Sequence, residues 1–219
     1  MLLIDLRYSV LSRYDITGLD ERSNEDCKGL EDSVARISGI LQAEHEKTGL
    51  PYSRMVLAGF SQGGALSLFT GFGLPEKLAA IVCLSGYLPA ASKFKITPGL
   101  ASTPVLHCHG TQDAVVAYSL AEKTKAKLVE KGVESYTLKS YPISHTVSPE
   151  ELSVVKDFLK KNLPDDPSQR IKLKEPSAMS VKELKVACRK AGLSTVGLME
   201  KSEFIKLLED YRSSKSDLK

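Results

Sequence analysis

Ser61 is the residue whose sequence context most clearly indicates chemistry. Residues 59–63 read Gly-Phe-Ser-Gln-Gly, a G-x-S-x-G pattern that directly follows the apolar run at 55–58. Between a strand and a helix, this pattern is typical of a nucleophilic serine on a strained turn, where larger flanking side chains would clash. The alternative is a turn serine that caps the helix. The preceding strand and the two glycines favour the nucleophile.

A nucleophilic serine needs a base within hydrogen-bond reach and an acid that orients this base. One known chain order is serine, then acid, then histidine. Asp113 follows an apolar segment that ends at Cys108, and His145 follows the next one, at 135–141. Because the carboxyl ends of parallel strands meet at one edge of a sheet, we expect Ser61, Asp113 and His145 to converge.

The other three histidines are predicted to lie outside the chemistry. His45 is expected to lie mid-helix and to be solvated. His107 falls within a predicted strand and His109 at its exit, where a structural role is expected for both.

The segments that must position these residues alternate between short apolar runs and longer amphipathic ones from about 54 to 163, which is typical of βαβ units and a mostly parallel sheet. The predicted strands cover 54–60, 78–85, 103–108 and 135–141. The predicted helices cover 27–48, 62–72, 118–131 and 149–162.

Composition places the chain among ordinary globular proteins, with 219 residues, of which 42% are apolar and 26% charged. Asp5 and Arg7 interrupt the first apolar residues too early for a secretory signal, and no apolar run reaches membrane-spanning length. The four cysteines form no C-x-x-C pair, so neither a zinc site nor a disulfide framework is indicated. We therefore expect a cytoplasmic protein.

Charge divides the chain into two parts. Residues 1–166 carry 18 basic against 20 acidic side chains, a net charge of −2, and residues 167–219 carry 12 against 7, a net charge of +5. A segment with two prolines at 163–168 lies between them and indicates a linker. We predict a domain at 1–163, a linker at 164–176 and a small module at 177–213.

The tail has the pattern of two short helices. Ser180 and Glu183 fit a capping box, which predicts a helix that ends near Lys190. Gly192 is a predicted helix stop, an extended segment is expected at 193–198, and a second helix presents apolar residues from Phe204 onwards.

The body resembles the acyl-protein thioesterase, lysophospholipase and carboxylesterase family of α/β hydrolases over roughly residues 8–163. The segments that carry this resemblance are 14–19 (Tyr-Asp-Ile-Thr-Gly-Leu), 59–68 (Gly-Phe-Ser-Gln-Gly-Gly-Ala-Leu-Ser-Leu), 84–89 (Leu-Ser-Gly-Tyr-Leu-Pro), His109-Gly110 with Asp113, and Ser144-His145.

The resemblance implies Ser61 as nucleophile, His145 as general base and then acid, and Asp113 as the carboxylate that orients it. The implied substrates are acylated, for example palmitoylated, proteins or lipid and small carboxylic esters, with transient contact to a membrane surface. No metal or organic cofactor is implied.

The chain departs from this family at its beginning. Relatives start with strands that precede the first match here, and one strand leads into a His-Gly-Leu-Gly-Asp type loop that supplies an oxyanion-hole amide. No such segment precedes Tyr8. We therefore expect an α/β-hydrolase fold without its N-terminal strands, in which the backbone amide of Gln62 is the recognisable oxyanion donor.

The tail resembles a SAP-type helix-extension-helix module, which would give a small all-α unit after the hydrolase body. Relatives of this module often bind DNA. Lys182, Lys185 and Arg189 would share one helical face that could contact phosphates. The alternatives are a solvated helix face and a docking or tethering role.

The leading hypothesis is a serine hydrolase that cleaves acyl thioesters on proteins and also hydrolyses carboxylic esters. A carboxylesterase for small esters would use the same three residues with another acyl pocket. A rival hypothesis is a non-catalytic binding protein on a shortened hydrolase body, whose basic tail binds nucleic acid or protein.

Overall fold

A parallel sheet forms the centre of the first of two units in the computed structural model, which describes residues 3–5, 14–15, 27–169 and 174–216. The first unit is Met1–Gln169 and the second is Arg170–Lys219. In the described part of the chain the strand order is β1-β2-β3-β4-β5, and every neighbouring pair is parallel. The strands are β1 (Leu3–Asp5), β2 (Val56–Phe60), β3 (Ala80–Leu84), β4 (Val105–Gly110) and β5 (Tyr136–Tyr141).

Helices cover both faces of this sheet. They are α1 (Leu30–Thr48), α2 (Gln62–Gly71), α3 (Tyr118–Glu130) and α4 (Pro149–Asn162). Leu57, Ile81 and Val105 share one face of the sheet and belong to a core cluster with residues of α1, α2 and α3. The alternate residues of β2 and β3, such as Val56 and Ala80, pack with α4 on the other face. Covering both faces explains why the central strands are apolar without alternation.

The prediction of an α/β fold with a mostly parallel sheet is confirmed. The four predicted strands and the four predicted helices of the body are all present, with ends shifted by up to three residues. The last helix covers the predicted residues, Pro149–Asn162, because Ser148 and Glu151 form a capping box at its start.

Two features of the first unit differ from the sequence predictions. The strand β1 was not predicted. The prediction of a solvated His45 is wrong: it lies half-buried in the last turn of α1, where its Nδ1–H donates to the carbonyl oxygen of Leu50 at 2.7 Å and its ring centroid is 5.7 Å from that of Tyr52. Of the family segment at 14–19, residues 16–19 lie outside the described residues.

In the described part of the second unit, a short 3-10 helix at Pro176–Ala178 precedes two α-helices, α5 (Val181–Lys190) and α6 (Lys201–Ser216). The capping box at Ser180 is confirmed, because its hydroxyl accepts from the Glu183 amide at 3.3 Å and the Glu183 carboxylate accepts from the Ser180 amide at 2.6 Å. The buried core of this unit is small: Met179, Leu184, Cys188, Phe204 and Leu208.

The prediction of an extended segment at 193–198 is only partly right, because the segment between these helices also contains turns. Turns lie at its start and around Gly197, and the Leu193 amide donates back to the Cys188 carbonyl oxygen at 2.9 Å. This hydrogen bond ends α5 and brings Leu193 against the core. Of the predicted linker at 164–176, residues 170–173 lie outside the described residues.

Because few side chains are buried among residues 174–214, we expect the stability of the second unit to depend strongly on each of them. Leu184→Ala removes a side chain that is 0% exposed and should cost about 2–5 kcal/mol of stability. Hydrogen exchange of the whole chain, followed by mass spectrometry, should show faster exchange in α5 and α6 and unchanged exchange in the first unit. Val186→Ala, on the exposed side of α5, is the matched control and should leave both units unchanged; equal effects of the two variants would contradict this packing.

Candidate active site

Ser61 forms a one-residue connection between β2 and α2. Its backbone has φ 54° and ψ −123°, which is rarely adopted by a residue with a side chain and costs on the order of 1–3 kcal/mol. The Ser61 amide donates to the carbonyl oxygen of Leu84 in β3 at 2.7 Å. The turn is therefore fixed to the neighbouring strand.

Close backbone approach explains the glycines around Ser61. A Cβ atom on Gly59 would lie 2.2 Å from the carbonyl carbon of Gly63, and one on Gly64 would lie 2.9 Å from both the Gly59 carbonyl oxygen and Cys83 Sγ. A clash with backbone atoms cannot be relieved by turning a side chain. The strand and helix can therefore meet at this angle only with glycine at these positions.

The structure brings the three predicted site residues together in a hydrogen-bonded series. His145 Nε2 lies 3.1 Å from Ser61 Oγ, and His145 Nδ1 lies 2.7 Å from Asp113 Oδ2. Asp113 and His145 occupy the loops that follow β4 and β5, at the same edge of the sheet as Ser61. The Asp113 side chain is 0% exposed, whereas that of His145 is 17% exposed.

The direction of these hydrogen bonds follows from the charge of Asp113. Burial would raise the pKa of Asp113, but hydrogen bonds from the His145 side chain and from the amides of Val116 and Val115 outweigh burial and lower it overall. Asp113 is therefore ionised at neutral pH and accepts from His145 Nδ1–H. In neutral His145 the other nitrogen is then an acceptor, and the Ser61 hydroxyl donates to it.

Two backbone amides hold the second oxygen of the Asp113 carboxylate. Asp113 Oδ1 accepts from the Val115 amide at 2.9 Å and from the Val116 amide at 2.8 Å. Val116 is 1% exposed, so this part of the loop is anchored in the interior. The carboxylate thus has one oxygen bound to the loop and one directed to His145.

Gln62 is the first residue of α2, beside Ser61, and at this position a helix does not itself supply an acceptor for the backbone amide. Its side-chain amide donates to the Tyr14 carbonyl oxygen at 2.8 Å. The Tyr14 hydroxyl in turn lies 2.9 Å from that of Tyr87, and both rings are buried. Residues 14–15 are therefore held against the turn at Ser61, an arrangement that the sequence analysis did not predict.

Aromatic and imidazole rings surround the site. The Phe60 ring centroid lies 4.7 Å from that of His145. His109 approaches Asp113, with Nε2 at 3.5 Å from Asp113 Oδ2, and His107 Nε2 lies 3.2 Å from His109 Nδ1. This proximity was not predicted, although the His-Cys-His alternation at 107–109 already places both histidines on one face of a strand.

The residues proposed for phosphate contact all lie on α5 of the second unit. Lys182, Lys185 and Arg189 are exposed, and Lys185 Nζ lies 5.5 Å from the centre of the Phe204 ring. Across the described ranges, no helix combines the length and the apolar character needed to cross a membrane.

Both units match known protein families. Residues 9–163 match the family described as phospholipase/carboxylesterase, and residues 175–213 match the SAP domain. The chain is 35% identical over 158 residues to acyl-protein thioesterase 1 homolog 1 of Dictyostelium discoideum, covering 72% of this chain and 70% of that protein.

Two further comparisons agree. The chain is 39% identical over 163 residues to acyl-protein thioesterase 1 of Neurospora crassa, covering 69% of this chain and 65% of that protein, less than two thirds of its length. The solved structure of Zea mays acyl-protein thioesterase 2 is similar with a TM-score of 0.58 at 29% identity, covering 68% of this chain and 71% of that one.

A substitution at Gly59 tests whether β2 and α2 approach as closely as the structure shows. Gly59→Ala forces a Cβ against the Gly63 backbone and should cost about 1–3 kcal/mol, measured by chemical unfolding of the first unit. Gly39→Ala is the control, because a Cβ there meets nothing within 4 Å in α1, and alanine favours a helix by up to about 1 kcal/mol. A Gly59→Ala protein as stable as the wild type would contradict the close approach.

Proposed function

Since the chain belongs to the phospholipase/carboxylesterase family, we propose that it is a hydrolase of acyl thioesters on proteins and that it cleaves carboxylic esters at the same site. Family membership makes it a serine hydrolase. The observation that carries the proposal is the hydrogen-bonded series from Ser61 through His145 to Asp113. The thioester preference is supported by the names of the relatives, which are acyl-protein thioesterases.

In the proposed first step, Ser61 Oγ attacks the acyl carbonyl carbon while its proton moves to His145 Nε2. Asp113 stabilises the imidazolium that forms. The amide of Gln62 is the proposed donor to the oxyanion, because it follows the nucleophile at the start of α2. The attack gives a tetrahedral intermediate with an oxyanion. Its collapse breaks the carbon–sulfur bond, and His145 returns the proton to the leaving thiolate.

In the second step, water attacks the acyl group on Ser61. His145 accepts a proton from this water and then protonates Ser61 Oγ as the acyl–oxygen bond breaks. The products are a free thiol on the substrate and a carboxylic acid. All proton transfers use one imidazole, which is why its orientation by Asp113 matters.

We propose the cytosol as the place of action. Cys83, Cys108 and Cys188 are buried free thiols, which fits a reducing compartment. Transient contact with a membrane surface follows only from the nature of lipid-modified substrates.

A fluorophosphonate probe tests the proposed nucleophile. Wild-type protein should be labelled, Ser61→Ala should not, and Asp113→Asn should lower kcat by about 10⁴-fold because the imidazole loses its orienting anion. Ser53→Ala, at an exposed serine in the same unit, is the control and should be labelled like the wild type. Labelling of wild type at the level of Ser61→Ala would support the non-catalytic alternative.

Substrate class is decided by a matched pair of peptides that carry the same long acyl chain on a cysteine or on a serine. The proposal expects a higher kcat/KM for the thioester, since a thiolate leaves more readily than an alkoxide. A clear preference for short oxyesters over both peptides would instead identify a small-ester carboxylesterase.

The charge distribution on α5 favours a second candidate function, binding of nucleic acid phosphates by the second unit. Glu183, which lies among Lys182, Lys185 and Arg189 in the sequence, is engaged at the helix start by the Ser180 amide and by Lys174 Nζ at 3.0 Å. Hydrogen bonds from the Ser180 amide, Lys174 and the Ser180 hydroxyl lower the pKa of Glu183 to about 2. Its charge is thus directed to the helix end, and the three basic side chains remain exposed.

A gel-shift titration of the whole chain against short duplex DNA at several salt concentrations tests this candidate. A variant with glutamine at Lys182, Lys185 and Arg189 should bind DNA more weakly. The slope of the logarithm of the binding constant against the logarithm of the salt concentration should fall in magnitude by about 0.9 per lost phosphate contact. A control variant with the same charge change carries glutamine at Lys93, Lys95 and Lys131 in the first unit. No shift at low salt, or equal loss in both variants, would rule out this surface and leave a docking role.

A further inference from the structure

A buried series of polar side chains runs across β5 and β4 towards Asp113. Tyr136 Oη lies 2.6 Å from His107 Nδ1, His107 Nε2 lies 3.2 Å from His109 Nδ1, and His109 Nε2 lies 2.8 Å from the carbonyl oxygen of Val116. Both histidines are 0% exposed. The pairing of Val105 with Tyr136 places all three side chains on one face of the sheet.

The direction of every hydrogen bond in this series follows from its last member. The Val116 carbonyl oxygen can only accept, so His109 carries its proton on Nε2 and accepts at Nδ1. His107 must then donate from Nε2, which leaves its Nδ1 as the acceptor for the Tyr136 hydroxyl. The series therefore specifies one tautomer for each imidazole.

The rings of His107 and His109 are both neutral at neutral pH, so each carries its single N–H proton on either Nδ1 or Nε2. Burial is the main cause that lowers the pKa of His107, to about 3, and burial also lowers the pKa of His109. The titratable groups around His109 are Asp113 and His145 from the catalytic loops, His107 from its own strand, and Tyr118 from α3, whose ring centroid is 6.0 Å away.

His109 connects this series to Asp113, the carboxylate proposed to orient His145, in two ways. It holds the carbonyl of Val116, whose amide holds Asp113 Oδ1. Its Nε2 also lies 3.5 Å from Asp113 Oδ2, the oxygen that accepts from His145. In the other tautomer the Nε2 lone pair would face two acceptors, the Val116 carbonyl and the carboxylate, and both contacts would become repulsive.

We propose that Tyr136 and His107 are positioning residues: the hydrogen bond from His107 Nε2–H to His109 Nδ1 holds the His109 ring against Val116 and Asp113 and thereby keeps the Asp113 carboxylate in hydrogen-bonding position for His145. This inference rests on the proposed function of Asp113 and His145. The hydroxyl of Tyr136 thus influences the active site from two imidazole rings away, without touching substrate or the reacting atoms.

Paired variants at position 107 separate this role from simple packing. Leucine cannot donate to His109, whereas glutamine can accept from Tyr136 through its oxygen and donate to His109 through its nitrogen. We expect His107→Leu to lower kcat by about 10- to 100-fold with KM unchanged, and His107→Gln to recover most of it. Tyr136→Phe should lower kcat by less, because His107 keeps its contact with His109.

Tyr141→Phe is the matched control. It removes a hydroxyl from the same strand, but Tyr141 lies on the opposite face, where its hydroxyl contacts Cys108 Sγ at 4.0 Å. Unchanged kcat in His107→Leu, or equal losses in His107→Leu and His107→Gln, would overturn the proposal.

Nitrogen NMR of the imidazoles tests the proposal without turnover. In the wild type, His107 and His109 should carry protons on Nε2 only, and the His145 Nδ1 proton should show the downfield shift of a strong hydrogen bond to Asp113. In His107→Leu, the His109 Nδ1 signal should move downfield because this nitrogen loses its hydrogen-bond donor, and the His145 Nδ1 proton signal should move upfield because Asp113 is held less well; both should be restored in His107→Gln. An unchanged His145 Nδ1 proton signal in His107→Leu would overturn the inference even if the enzyme is active, whereas normal His107, His109 and His145 signals with no labelling of Ser61 would count against the proposed function alone.

Discussion

The passage from β2 to α2 through Ser61 is the constraint on which the rest of the site depends. The backbone reverses direction at one residue with φ 54°, and the amide of that residue is bound to Leu84 of the next strand. The turn forces β2 and α2 so close that Gly59 and Gly64 have no room for a Cβ. As a consequence, the hydroxyl of Ser61 has a fixed position relative to the sheet, and the side chains of His145 and Asp113 must be placed relative to that position.

The sheet brings the other two groups there through the register of β4 and β5. Backbone pairing continues past the strand ends, because the Thr111 amide donates to the Tyr141 carbonyl oxygen at 2.7 Å and the Gln112 amide donates to that of Ile143 at 3.1 Å. The loop of Asp113 is therefore bound, backbone to backbone, to the segment that leads to His145. This coupling explains how a 2.7 Å contact between the two side chains can be held by loops.

The sequence was sufficient to predict the parallel sheet and the convergence of Ser61, Asp113 and His145, because strand periodicity and strand order determine which loops share an edge. The sequence was insufficient to predict the hydrogen-bonded series from Tyr136 to His109. The contact between Tyr136 and His107 depends on the register of β4 and β5, which no local pattern encodes. His45 was misjudged because its acceptor, the carbonyl of Leu50, lies beyond the helix end. The three residues of β1 are too few to show a period.

The proposed mechanism requires that Ser61 carries the acyl group during turnover. Rapid mixing with a long-chain acyl thioester, acid quenching within the first turnover and mass spectrometry of the digested chain would measure this directly. We expect an acyl adduct on the peptide that contains Ser61, formed before steady state and then constant while product accumulates. Thioester consumption without an adduct on that peptide, or with the adduct on another residue, would contradict it.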